Sequence, residues 1–161
     1  NHDTNRTLVE QRGIPYHHFP IQPDKKQEQE SQIRDLISQS GAELIVMARY
    51  MQILSDEFCR DFAGRVINIH HSFLPGFKGA RPYHQAYERG VKIIGATAHF
   101  ATPDLDEGPI IEQDIVRIDH AQPPEKLQMM GRDTESRVLA RAIDLYCQRR
   151  IFIQDQRTVI L

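Results

Sequence analysis

Cysteine is scarce in this sequence, and the scarcity excludes one way of holding a chain together. Two residues, Cys59 and Cys147, cannot make a disulfide framework. They read as buried or half-buried thiols of a reducing compartment. Long apolar runs are missing too: none approaches the roughly 20 residues that a membrane span needs. The polar opening segment does not read as a signal peptide, so a cytoplasmic protein with no membrane partner is expected. Nor is there an excess of one charge. With 20 Lys and Arg against 22 Asp and Glu, there is no electrostatic reason to expect a nucleic-acid partner. Several catalytic signatures are also absent. The chain has no G-x-G-x-x-G, Walker loop, nucleophile elbow, H-E-x-x-H or cysteine-pair motif. Ser72 lacks the elbow glycines, and Cys59 falls on a predicted helix away from His70. Covalent catalysis is therefore disfavoured. A metal site is disfavoured as well, although eight histidines are present, including the adjacent His70 and His71.

What is present is ordinary globular material, 40% hydrophobic and 26% charged over 161 residues. A single domain of that length buries roughly 70% of its unfolded surface. The first helix is expected to start at an N-cap on Asp3 or Thr4 and to stop at Gly13. An extended segment follows over 14–20. A one-sided surface helix spans 24–40, with Ile33, Leu36 and Ile37 at helical spacing. The apolar run 43–48 suits a buried parallel strand with neighbours on both sides. Ser55 caps a helix to about residue 62, and residues 66–70 form a strand. A loop over 75–79 leads to a helix over 82–89, then to β-rich runs at 92–100 and 110–118. A long helix spans 123–150, and 151–161 makes a hairpin-like tail. This alternation predicts an α/β domain, a mostly parallel twisted sheet with helices on both faces. A doubly wound sheet normally opens with a strand, whereas this chain opens within a strand-to-helix connection. An absent N-terminal portion is therefore expected, and residues 1–161 alone are not expected to make a stable, active monomer.

The chemistry concentrates between residues 68 and 109. Asn68 and His70, two apart in a strand, share one face, at the carboxyl end where open α/β sheets place ligands. Asn68 offers a neutral donor, and His70 can donate or relay a proton. The segment 102–109 carries Asp104, Asp106 and Glu107, any of which could take a proton or pair with an imidazole. Singly, each item has a plainer reading: a structural histidine, a turn-forming asparagine, a solvated acidic loop. Amide, imidazole and carboxylate together suit a carbonyl that gains negative charge under attack.

Asn68-Ile-His70-His-Ser-Phe-Leu-Pro75-Gly-Phe-Lys-Gly79, followed by Leu105-Asp106-Glu-Gly-Pro109, resembles the 10-formyltetrahydrofolate-dependent formyltransferase-fold family. That family's hallmark is Asn-x-His-x-Ser-x-Leu-Pro with a later acidic-loop Asp. Gly79-Ala-Arg-Pro-Tyr-His-Gln-Ala-Tyr-Glu-Arg-Gly-Val-Lys-Ile-Ile-Gly-Ala-Thr-Ala-His99, Ala48-Arg-Tyr-Met-Gln-Ile-Leu54 and Arg157-Thr-Val-Ile-Leu161 look like the family's formyltetrahydrofolate deformylase branch. His71, where transformylases commonly have Pro, fits that branch. The resemblance spans essentially the whole chain. It implies that an ACT-type domain and the catalytic domain's first strand and helix precede residue 1.

By the same resemblance, Asn68, His70 and Asp106 are the catalytic residues. Met51, Gln52, Ile53, Leu54, Ala101, Thr102, Pro103, Asp104 and Leu105 wall the folate pocket. Thr97 and His99 line the strand behind it, and Tyr83 and His84 fall near the acceptor. The implied reaction is hydrolysis of 10-formyltetrahydrofolate to formate and tetrahydrofolate, without a covalent intermediate. It would supply formate for purine synthesis and balance the one-carbon pool. No cofactor or metal is implied beyond the folate substrate, and a homo-oligomer is expected. Two alternatives stand beside it: glycinamide ribonucleotide transformylase, and a non-catalytic folate-binding regulatory module.

Overall fold

A computed structural model describes residues 3–20, 22, 24–74 and 82–161. The predicted 75–79 loop and Arg81 lie outside the described residues. The chain divides into two compact units, Asn1–Glu43 and Leu44–Leu161.

The first unit holds two helices, α1 (Arg6–Glu10) and α2 (Lys26–Ser40). The expected cap at Asp3 or Thr4 is displaced to Asn5, whose side chain makes no capping bond. Instead, the backbone N–H of Arg6 reaches the Asp3 carbonyl at 2.9 Å. Gly13 does end this turn, at φ +70°. Residues 14–20 form no strand; there Arg6 stacks over the Tyr16 ring, 5.0 Å from its centroid. In α2 the buried residues are Gln29 and Glu30, not the apolar triplet, which is only half-buried.

The second unit is built on a four-stranded sheet: β1 (Ile45–Met47), β2 (Val66–His70), β3 (Ile93–Phe100) and β4 (Ile110–Arg117), in the order β1-β2-β3-β4. The α/β class stands, but the expectation of a mostly parallel sheet does not. Only β1 and β2 run parallel; β2–β3 and β3–β4 are antiparallel. The β3–β4 connection explains half of this, because a parallel crossover needs a dozen or more residues and residues 101–109 are too few. In the 43–48 run the strand is shorter than expected, and among the described residues it has a neighbour on one side only. β1 is three residues long, at the edge of the described sheet, with Val46 40% exposed.

Helix α3 (Asp56–Asp61) starts where Ser55 Oγ accepts from the Phe58 N–H at 3.1 Å. It buries Phe58 and Cys59, whereas Cys147 is exposed. Helix α4 (Pro82–Glu88) precedes β3. Helix α5 (Pro124–Cys147) has Pro at its first position, where no N–H is needed. Val138, Ala142 and Leu145, four and three apart on α5, pack on Ile67, Ala96, Ala98, Phe100 and Ile111 of the sheet. Nearer its start, Leu127 joins Tyr83, Ala86, Ile94 and Ile118. The tail is a hairpin of β5 (Ile151–Gln154) and β6 (Arg157–Ile160), turning at Asp155 with φ +54°. Because α5 covers the face carrying Ile67 and Ala96, the alternate residues Asn68, His70, Thr97 and His99 fall on the other face.

Candidate active site

Cross-strand register assembles the first half of the site. Asn68 stands opposite His99, and His70 opposite Thr97, so four polar side chains share one patch of sheet. Their roles then separate. The Thr97 hydroxyl donates to the Ser72 carbonyl at 2.9 Å and accepts from the Leu74 N–H at 3.1 Å and Gln113 Nε2 at 2.9 Å. It pins the strand exit after His70 and has no capacity left for a ligand. His99 instead serves Asn68. Its Nδ1 lies 2.9 Å from the Phe100 carbonyl, which can only accept, so Nδ1 carries the proton. Burial lowers the His99 pKa below the ordinary imidazole value, so the ring is neutral near pH 7 and Nε2 is an acceptor. Asn68 Nδ2, at 3.2 Å, donates to it. The amide is thereby oriented with its nitrogen inward, and one of its two N–H bonds remains for a ligand.

Asp106 completes the group. Its Oδ1 is 3.2 Å from His70 Nδ1 and 3.6 Å from His99 Nε2, with the carboxylate side chain 10% exposed. The route it takes was not foreseen. Since β3 runs antiparallel to β2, the 101–109 segment leaves the sheet beside the amino end of β2, where Ala101 N–H donates to the Val66 carbonyl. It must fold back over the sheet face to reach His70, so the site is not built wholly from the carboxyl edge. Two backbone devices serve the fold-back. Asp106 sits at φ +59°, a left-handed conformation that Asp tolerates better than most residues. Gly108 passes so close to the Phe100 carbonyl that no Cβ could fit.

A cleft of about 500 Å³ opens at this patch, a volume suited to a drug-sized ligand. Asn68, His70 and Asp106 line it together. So do Met51, Gln52, Ile53 and Leu105, of which Met51, Ile53 and Leu105 are exposed apolar side chains. Leu54, Ala101, Thr102 and Pro103 instead line a neighbouring cavity of about 30 Å³, with Gln52, Asn68 and His99. Asp104 lines neither cavity. It is exposed, and its carbonyl accepts from Thr102 Oγ1 at 2.9 Å, shaping the turn. Thr97 also lies outside both, for the reason given above. Gln52 Nε2 is buried with no hydrogen-bond partner among the described residues, a cost that a ligand acceptor would remove.

The cleft has a helical wall of which the sequence reading named only the Tyr83 and His84 part. Tyr83 and His84 of α4 contribute to it, along with Gln128, Arg132 and Glu135 of α5. The α5 residues lie at i, i+4 and i+7, which in sequence is indistinguishable from a solvated helix face. The His71 ring stacks on His70, with centroids 4.7 Å apart. Burial first, then the His70 charge, lowers the His71 pKa. Among the described residues, no group of three or more His, Cys, Asp or Glu is placed to hold a metal ion. Among the described residues no helix is long and apolar enough to cross a membrane.

The profile of a family described as formyl transferase matches residues 1–143. A formyltetrahydrofolate deformylase of Corynebacterium sp. (strain P-1) is 53% identical over 161 residues, covering 100% of this chain and 56% of that protein. The chain spans about half the length of the curated relatives it matches. Among solved structures, a formyltetrahydrofolate deformylase from Burkholderia mallei superposes with a TM-score of 0.94 at 57% identity. That match covers 99% of this chain and 57% of the other. Glycinamide ribonucleotide transformylase 1 from Symbiobacterium toebii gives a TM-score of 0.87 at 31% identity, over 96% of this chain and 74% of that one.

Proposed function

The chain belongs to the formyl transferase family, and from that premise we propose that it hydrolyses 10-formyltetrahydrofolate to formate and tetrahydrofolate. The observation that carries this reading is the meeting of Asn68, His70 and Asp106 on one wall of a ligand-sized cleft. Hydrolysis is preferred to formyl transfer because whole-chain identity is 53% to a protein named as a deformylase and 31% to one named as a transformylase.

In the proposed mechanism the N10-formyl oxygen faces Asn68 and His70. The free N–H of the Asn68 amide meets the oxygen as it gains charge, in a fixed orientation that His99 sets in advance. A donor in that position is worth about 3 kcal/mol of barrier. His70, held through Nδ1 by Asp106, presents its other ring nitrogen to the same oxygen. Water attacks the formyl carbon, the C–N10 bond breaks, and N10 receives a proton relayed through Asp106 and His70. The apolar side chains of Met51, Ile53 and Leu105 would cover the folate ring, and Gln52 Nε2 would find its acceptor there.

The test is to incubate the purified protein with 10-formyltetrahydrofolate, with and without glycinamide ribonucleotide, and to measure formate. Formate release that does not need the acceptor supports the hydrolase. Release of tetrahydrofolate only when the acceptor is present would assign the chain to the transferases instead.

A further inference from the structure

The helical wall contains a polar lock that the mechanism above does not use. Tyr83 O–H donates to Glu135 Oε1 at 2.6 Å, tying α4 to α5. Burial, then the Glu135 carboxylate, holds the phenol far above its ordinary pKa, so the phenol is a permanent donor. The contact depends on Gly131, one turn before Glu135. Any Cβ there would strike the Tyr83 ring and hydroxyl. A glutamate that merely solvated a helix face would need neither the lock nor the glycine. Glu135 also lies near enough to His71 to act on its charge, and His71 stacks on His70. The fixed carboxylate therefore lines the same cleft as His70 and His71.

We propose that Glu135, oriented by Tyr83, positions the water that attacks the formyl carbon. This rests on the hydrolase reading. The carboxylate accepts a hydrogen bond from the water and turns a lone pair of the water oxygen toward the carbon. A new C–O bond forms as the carbonyl π pair moves onto the oxygen facing Asn68 and His70. Collapse of that intermediate breaks C–N10. Of the two water protons, one ends on N10 and the other leaves as formic acid ionises to formate. Glu135 is a carboxylate before and after, and nothing is oxidised or reduced. The same lock favours water over other nucleophiles, because a carboxylate held by the Tyr83 hydroxyl can accept a hydrogen bond at one place only.

The experiment compares the whole natural chain with Tyr83→Phe and Glu135→Gln, both close to isosteric. Formate release is measured without acceptor. The split between formate and formylhydroxylamine is then measured with hydroxylamine added. Misplacing a reacting group by about 1 Å costs on the order of a hundredfold. Glu135→Gln is therefore expected to lower kcat by roughly tenfold to a hundredfold with the folate KM unchanged. Tyr83→Phe is expected to lower kcat by about tenfold, the loss of one hydrogen bond to a charged group, and to raise the hydroxylamine share. Near-normal kcat with an unchanged split in both variants overturns the proposal. A raised KM with kcat kept also overturns it, because the pair would then bind substrate rather than place water. Absence of formate release by the wild type removes the hydrolase reading itself, and this inference with it, before any variant is made.

Discussion

The two walls of the cleft are built differently. The sheet wall buries His70 and His99, with Asn68 and Asp106 partly buried, and each side chain is fixed by a neighbour: His99 by the Phe100 carbonyl, Asn68 by His99, His70 by Asp106. The helical wall carries Gln128, Arg132 and Glu135 on a helix most of whose charged residues are solvated. There, fixation comes through one long-range bond between Tyr83 and Glu135. Preorganisation has a different source in each wall. On the sheet it follows from register, because opposite residues must meet. On the helix it needs a close approach that only Gly131 permits.

The largest effect is expected from Asp106→Asn. This keeps shape and removes the charge beside His70 and His99. Turnover is expected to fall between about a hundredfold and ten-thousandfold, the range for a positioned proton-transfer group. The folate KM should change little. Steady-state formate assays decide it, and near-normal kcat would remove Asp106 from the chemistry. Next comes Asn68→Ala, expected to cost about 3 kcal/mol of barrier, or roughly a hundredfold in kcat. A loss confined to KM would mean that the amide binds the ground state equally well.

A third test uses pH. Burial lowers the His99 pKa in the folded chain below its unfolded value of 6.5. The unfolded state therefore takes up the proton first as pH falls, and stability declines below about pH 6.5 until the folded pKa is reached. Above that window His99 is neutral in both states and contributes no slope. One proton can contribute at most about 1.4 kcal/mol per pH unit. Denaturant unfolding between pH 7 and 5 should thus be less steep in pH for His99→Gln than for wild type. Equal slopes would show that His99 is not the group responsible. The smallest effect is expected at the exposed rim. Ile53→Ala removes apolar surface that a folate ring would cover, at a cost of about 1 kcal/mol. That predicts roughly a fivefold rise in KM with kcat unchanged. A change in kcat alone would place the ring elsewhere.

Local physics was written in the residues themselves. Ser55 before Asp56, Pro124 at the start of α5, and the two runs flanking Asp155 each needed only neighbours in sequence. The helices and strands from Ser55 onward consequently lie within a few residues of where the pattern puts them. The shared face of Asn68 and His70 followed from strand alternation, and the motif containing them named the chemistry. Strand direction was only partly legible. The 101–109 connection is too short for a parallel crossover, whereas the connection from β2 to β3, which includes α4, is long enough for either direction. Only packing settled it as antiparallel. That choice sent the Asp106 segment off the amino end of β2 and obliged it to fold back. The exhaustion of Thr97 by Ser72, Leu74 and Gln113, and the union of Tyr83 with Glu135 across 52 positions, were likewise decided by tertiary structure. A sequence specifies which groups can bond, but a hydrogen bond between distant positions exists only once the fold has brought them within about 3 Å.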